Sequence, residues 1–186
     1  QTGTTFTSSG NLTITDIFTI NAGTFNAGGN LILLQGTSTP LVVNDTFTAS
    51  TSTVKYNVYA NISILALSYH NLEVGTSLGL TNVTYTLNSG TLNVSNNLTI
   101  GSTAPSTLVF DINTNDAEVT VEGDILVNTY GTYSASSNQA APLSVAGDFT
   151  NNGTFTHNDG KVILDSAVDT SQSLNGAVSF HTLEIA

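Results

Sequence analysis

Gly90-Thr-Leu-Asn-Val-Ser-Asn-Asn-Leu-Thr-Ile100 decides the fold. It holds two short strings, Thr91-Leu-Asn-Val94 and Asn97-Leu-Thr-Ile100, parted by a Ser-Asn corner. Each alternates polar and apolar residues with period two, which puts Leu92, Val94, Leu98 and Ile100 on buried sides of a pleated chain. The same grammar runs outward in both directions, through Asn11-Leu-Thr-Ile-Thr15, Asn30-Leu-Ile-Leu33, Glu118-Val-Thr-Val-Glu122 and Lys161-Val-Ile-Leu164. Each string stops at Gly, Asn, Asp or Ser, residues that tolerate the dihedrals of a corner. The one Ala-rich patch, Ser134 to Ala141, ends at Pro142 and reads as a loop. Short strands along a whole chain mean a sandwich, a barrel or a solenoid.

Repetition favours the solenoid. Gly23-Thr-Phe-Asn before Asn30-Leu-Ile-Leu corresponds to Gly90-Thr-Leu-Asn before Asn97-Leu-Thr-Ile, with Gly153-Thr-Phe-Thr before Lys161-Val-Ile-Leu as a looser copy. A longer repeat overlies this one: Ser68-Tyr-His-Asn-Leu-Glu-Val-Gly75 recurs as Ser179-Phe-His-Thr-Leu-Glu-Ile-Ala186. One domain over residues 1–186 is therefore expected, with related units at 1–75 (partial) and 76–186. Strong strands recur every 19 to 22 residues or so, about one coil of three strands. Roughly nine coils at the strand spacing would make a rod about 40 Å long. Residues 101–142 break the rhythm, which reads as insertions or a cap. A β-sandwich or jelly roll is the alternative; it predicts longer strands and no offset repeat.

Gly147-Asp-Phe-Thr-Asn-Asn-Gly-Thr-Phe-Thr-His-Asn-Asp-Gly-Lys-Val-Ile-Leu-Asp165, with Ser179-Phe-His-Thr-Leu-Glu-Ile185, resembles repeats of large bacterial surface and adhesin-like proteins. The likeness is clearest over residues 143–186 and 46–75. It implies a right-handed parallel β-helix at a cell surface. Such repeats define an architecture, and no catalytic residue carries over with them.

Composition narrows the function. Charged residues are 8% of the 186, against roughly 25% in ordinary soluble domains. Two lysines, no arginine and 13 acidic residues give a net charge of −11. Such a chain cannot neutralise a row of phosphates or hold to an anionic bilayer, so neither nucleic acid nor membrane is an expected partner. The longest apolar runs, such as Ile62 to Leu67, fall far short of a membrane span. Cys is absent, which excludes thiolate metal sites and cysteine nucleophiles. No basic-then-apolar leader precedes Gln1, as in a mature secreted chain or an excerpt of a longer one.

Candidate chemistry is sparse. Asp111, Asn113, Asn115 and Glu122 match calcium-loop positions one, three, five and twelve, but Asp116 stands where the sharp turn needs glycine. Asp111, Asp116 and Glu118 could instead hold calcium across a turn; the alternative is a solvated hairpin turn. No other cofactor is implied. His70 and His181 occupy one slot of the long repeat, as do Glu73 and Glu184, and read as stacking positions rather than ligands or a general base. A carboxylate pair for glycoside hydrolysis could come from Asp116/Glu118 or Glu122/Asp124, but Trp for sugar subsites is lacking. Thr-x-Thr begins at Thr5, Thr13, Thr46, Thr84 and Thr154; an ice-binding face needs such threonines in register, and these intervals are irregular. Sequons begin at Asn11, Asn44, Asn61, Asn82, Asn93, Asn97 and Asn152, a number that the abundance of Asn, Ser and Thr supplies by chance.

The resulting expectation is a secreted, cell-surface structural solenoid without enzyme activity. A solenoid must cap or pair its terminal strands. Phe6, Leu183 and Ile185 are the expected contacts of a head-to-tail homopolymer. The alternatives are a segment of a longer adhesin or surface-layer protein that meets glycans or other surface proteins, and, after it, a polysaccharide-active β-helix enzyme or an ice-binding protein.

Overall fold

A computed structural model describes residues 3–76, 82–101, 106–166 and 171–186. Among these every regular element is a strand. The chain climbs three strands to a turn. The first turn is β1 (Thr5–Thr7), β2 (Leu12–Ile14) and β3 (Phe18–Ile20); the second is β4 (Thr24–Asn26), β5 (Leu31–Leu34) and β6 (Leu41–Val43). Then follow β7 (Thr46–Thr48), β8 (Thr53–Tyr56) and β9 (Ile62–Ile64), and β10 (Ser68–Tyr69), β11 (Asn71–Val74) and β12 (Val83–Leu87). The fifth turn is β13 (Thr91–Val94), β14 (Leu98–Ile100) and β15 (Leu108–Asp111); the sixth is β16 (Glu118–Val121), β17 (Ile125–Val127) and β18 (Gly131–Ser134). β19 (Leu143–Val145), β20 (Phe149–Asn151) and β21 (Thr154–Thr156) precede the last strands, β22 (Lys161–Leu164), β23 (Leu174–Gly176) and β24 (Thr182–Ile185).

Each strand pairs in parallel with its counterpart one turn away, which makes three faces. The first face carries β1-β4-β7 and then β10-β13-β16-β19-β22-β24; the second carries eight strands unbroken, from β2 to β23; the third carries β3-β6 and then β9 to β21. This is a parallel β-solenoid of about seven turns, and the sandwich alternative falls because its strand pairs would be antiparallel. The turn count is below nine because the coils vary in length. Thr53 meets Asn71, 18 residues on, whereas Leu98 meets Ile125, 27 residues on. The corners absorb the difference, and the strand ladders do not notice it.

The core is a set of inward files. On the second face Leu12, Ile32, Val54, Leu72, Leu98, Ile125, Phe149 and Leu174 stand one above another. From Ile32 to Phe149 each is buried. Burying a side chain of this size is worth about 1.5–3 kcal/mol, so a file holds its sheet together more firmly than any one contact. Aromatic rings continue the theme: Phe25, Phe47 and Tyr69 follow one another at centroid distances of 6.3 and 6.0 Å on the first face. Phe110, Tyr133, Phe155 and Phe180 do so at 5.8 to 6.0 Å on the third.

Candidate functional site: the open ends and the corners

The two ends of the stack differ from its middle. β1 and β24 close the first face below and above, and each leaves one row of backbone N–H and C=O groups unpaired. Their inward residues are uncovered: Phe6 is 65% exposed, Leu183 42% and Ile185 72%. One rung in, their partners Phe25, Val162 and Leu164 are buried. Ile17 on the first turn and Leu174 on the last add to these surfaces. At the lower end Phe6, Leu12, Phe18, Ile20 and Phe25 line an open depression of about 680 Å³. All three expected assembly residues thus lie on apolar, edge-exposed rungs.

The corners are held by side chains that bond one coil higher. Before the second face, the side-chain oxygen of Asn71 takes the N–H of Asn97, Asn97 that of Asp124, Asp124 that of Asp148, and Asp148 that of Ser173, at 2.7 to 3.3 Å. Asn11 does the same for Leu31, Asn61 for Thr84 and Asn82 for Thr107. Four sequon asparagines (Asn11, Asn61, Asn82 and Asn97) therefore serve as inter-coil caps through Oδ1, and Asn44 Nδ2 donates to Asn21. All seven sequon asparagines, with Asn93 and Asn152, are exposed.

The calcium candidates occupy separate places. Asp111 ends β15 and accepts from the N–H and hydroxyl of Thr114. Glu118 opens β16 and accepts from the Thr91 hydroxyl at 3.2 Å. Asp116 sits at the corner with a left-handed φ of 47°. Its Oδ1 takes the Ser136 hydroxyl at 2.9 Å and the hydroxyl and N–H of Ser137 and N–H of Asn138. These donors, Ser136 first, hold its carboxyl below the usual value. The segment is a solenoid corner and not a hairpin turn. Asp111, Asp116 and Glu118 are not gathered into one ligand group; among the described residues, the group with metal-ligand spacing is His157, Asp159 and His181.

The long sequence repeat does not mark equivalent places. Leu72-Glu-Val74 lies in β11 on the second face, Leu183-Glu-Ile185 in β24 on the first. His70 reaches Ser95 Oγ at 3.0 Å, whereas His181 stands beside His157, with ring centroids 6.0 Å apart. The glutamates do share a role. Glu73 pairs with Lys55 at 2.8 Å and Glu184 with Lys161 at 3.2 Å, each across neighbouring coils, so both lysines of the protein are engaged. Threonines whose sequence intervals looked irregular are in register: Thr5, Thr24 and Thr46 stack on the first face, and Thr84, Thr132 and Thr154 share a file on the third, interrupted by Val109. A cleft of about 510 Å³ opens on the first face where β7 and β10 fail to pair, with Phe47 and Tyr69 among its lining and Ser50, Ser95 and Glu122 around them.

Compared with models of protein families, with curated proteins and with solved structures, the chain matches none.

Proposed function

We propose that the protein is an extracellular, non-enzymatic structural element, a subunit that self-assembles into a filament by stacking solenoid ends through strand pairing. One observation carries this reading: the exposed large apolar side chains concentrate at the two ends, with Phe6 and Ile17 on the first turn and Leu174, Leu183 and Ile185 on the last. Unpaired backbone edges beside uncovered apolar rungs are what a further coil would satisfy. A heterologous, head-to-tail contact of this kind does not close on itself and so propagates. The same rungs would equally receive further coils of a longer polypeptide. That is the second reading, a segment of an adhesin-like or surface-layer protein, and the sequence resemblance favours it.

Electron microscopy of the purified chain separates the two. Filaments built of repeating subunits support the first reading. Folded single rods at high concentration overturn it in favour of the second.

A further inference from the structure

We propose that His157, Asp159 and His181 form a binding site for one divalent transition-metal ion of the imidazole-preferring class, which clips the last coil onto the one below. Their ligand atoms all lie within 4.8 Å of one another. Asp159 Oδ1 stands 3.3 Å from His181 Nδ1 and 3.8 Å from His157 Nδ1. Two ligand bonds of about 2.0–2.1 Å at a tetrahedral angle put their donor atoms about 3.3–3.4 Å apart, close to both distances. The donor set of two imidazoles and one carboxylate suits Zn²⁺ or its first-row neighbours rather than calcium, which takes six or more oxygens. A fourth position is left to solvent, since Asp159 is 78% exposed and the histidines are half-buried.

Two of the ligands sit on a turn that is built before any metal arrives. Gly160 N–H donates to His157 O at 2.8 Å, and Asn158 and Asp159 between them take left-handed φ values of 46° and 62°. That pattern is a mirror-image turn, which Asn and Asp tolerate better than other residues with a Cβ. The turn is pinned from below: Asn158 Nδ2 donates to Ser134 Oγ and Ala135 O, and Gln139 Nε2 to Asp159 O. A Cβ on Gly160 would run into Ser136 O, so the turn lies flat on the coil beneath. His181 arrives from above, because Thr182 pairs with Lys161 and its neighbour therefore stands over the turn. The ion would replace one internal bond, that from Asp159 N–H to His157 Nδ1. The nearest cation, Lys161, is paired with Glu184 and does not repel it. This site stands apart from the stacking of ends, and neither proposal needs the other.

Calorimetric titration of the intact chain with Zn²⁺ tests the assignment, alongside His157→Ala, His181→Ala and His70→Ala. The expected result is one ion per chain in the wild type and in His70→Ala, with affinity at least tenfold weaker in each of the other two. A second readout needs no variant: Zn²⁺ should raise the melting temperature of the wild type, and Ca²⁺ at the same concentration should not. No binding by the wild type, unchanged affinity in His181→Ala, or equal stabilisation by Ca²⁺ would each overturn the site.

Discussion

The side-chain oxygen of Asn97 accepts the backbone N–H of Asp124 at 2.9 Å, and Asp124 accepts that of Asp148 at 2.8 Å. A corner residue in one coil thus caps the corner of the next, and a chain with few charges satisfies its bends by this means. Asn97→Ala and Asp124→Ala should each cost about 1–2 kcal/mol, since an N–H loses its partner. Asp124→Asn keeps an oxygen in place and should cost less. Denaturant melts of the three variants check the order.

Asp116 should make the fold acid-sensitive. Its folded-state pKa lies below the ordinary 3.8, so its stabilising effect is complete above that value and fades as pH falls below it. Asp116→Asn tolerates the left-handed corner but removes the charge. Melting temperatures from pH ~7 to ~2.5 should show the variant less stable at neutrality, with the gap to the wild type closing in acid. A gap that stays constant would mean that the carboxylate's charge plays no part.

Two buried tyrosines should respond oppositely to loss of the hydroxyl. Burial pushes the phenols of both Tyr85 and Tyr133 far above their ordinary pKa, so each stays neutral. Tyr85 OH accepts the Val58 N–H at 2.7 Å and donates to the Val58 carbonyl, whereas Tyr133 OH has no hydrogen-bond partner. Tyr85→Phe should destabilise by about 1–3 kcal/mol, and Tyr133→Phe should be neutral or stabilising. Equilibrium unfolding of both variants gives the comparison.

Gly153 marks a point where coils touch. A Cβ there would run into the carbonyl oxygens of Asn128 and Gly131 on the coil below. Gly153→Ala should therefore destabilise by more than about 2 kcal/mol, the size of a clear steric fault. Gly10, with open space around it, is the control: Gly10→Ala should melt within about 0.5 kcal/mol of the wild type.

The strands and their inward files were legible in the sequence, because a two-residue period survives any change in corner length. Thr91–Val94 and Leu98–Ile100 stand where the alternation of residues 90–100 implies. Vertical neighbours were not legible. A coil of 18 residues and one of 27 stack equally well, so the register of Thr84 with Thr132 cannot be read from their separation. For the same reason the matched motifs at His70 and His181 land on different faces, and the meeting of His157 with His181 leaves no mark in the sequence beyond the residues themselves. The exposed ends were foreseeable from Phe6, Leu183 and Ile185, because alternation alone assigns these residues to the inner side of strands that end a stack.

End-to-end stacking is tested most directly by sedimentation and electron microscopy of the wild type beside a Leu183→Asp, Ile185→Asp double variant, at low and high salt. Identical subunits of net charge −11 repel, so association must come from backbone pairing and apolar burial. Salt screens the repulsion and leaves those contacts intact. The account predicts wild-type assemblies that persist or lengthen in high salt, and a double variant that stays folded and monomeric. Assemblies that dissolve in high salt, or that the double variant forms as readily, would contradict it.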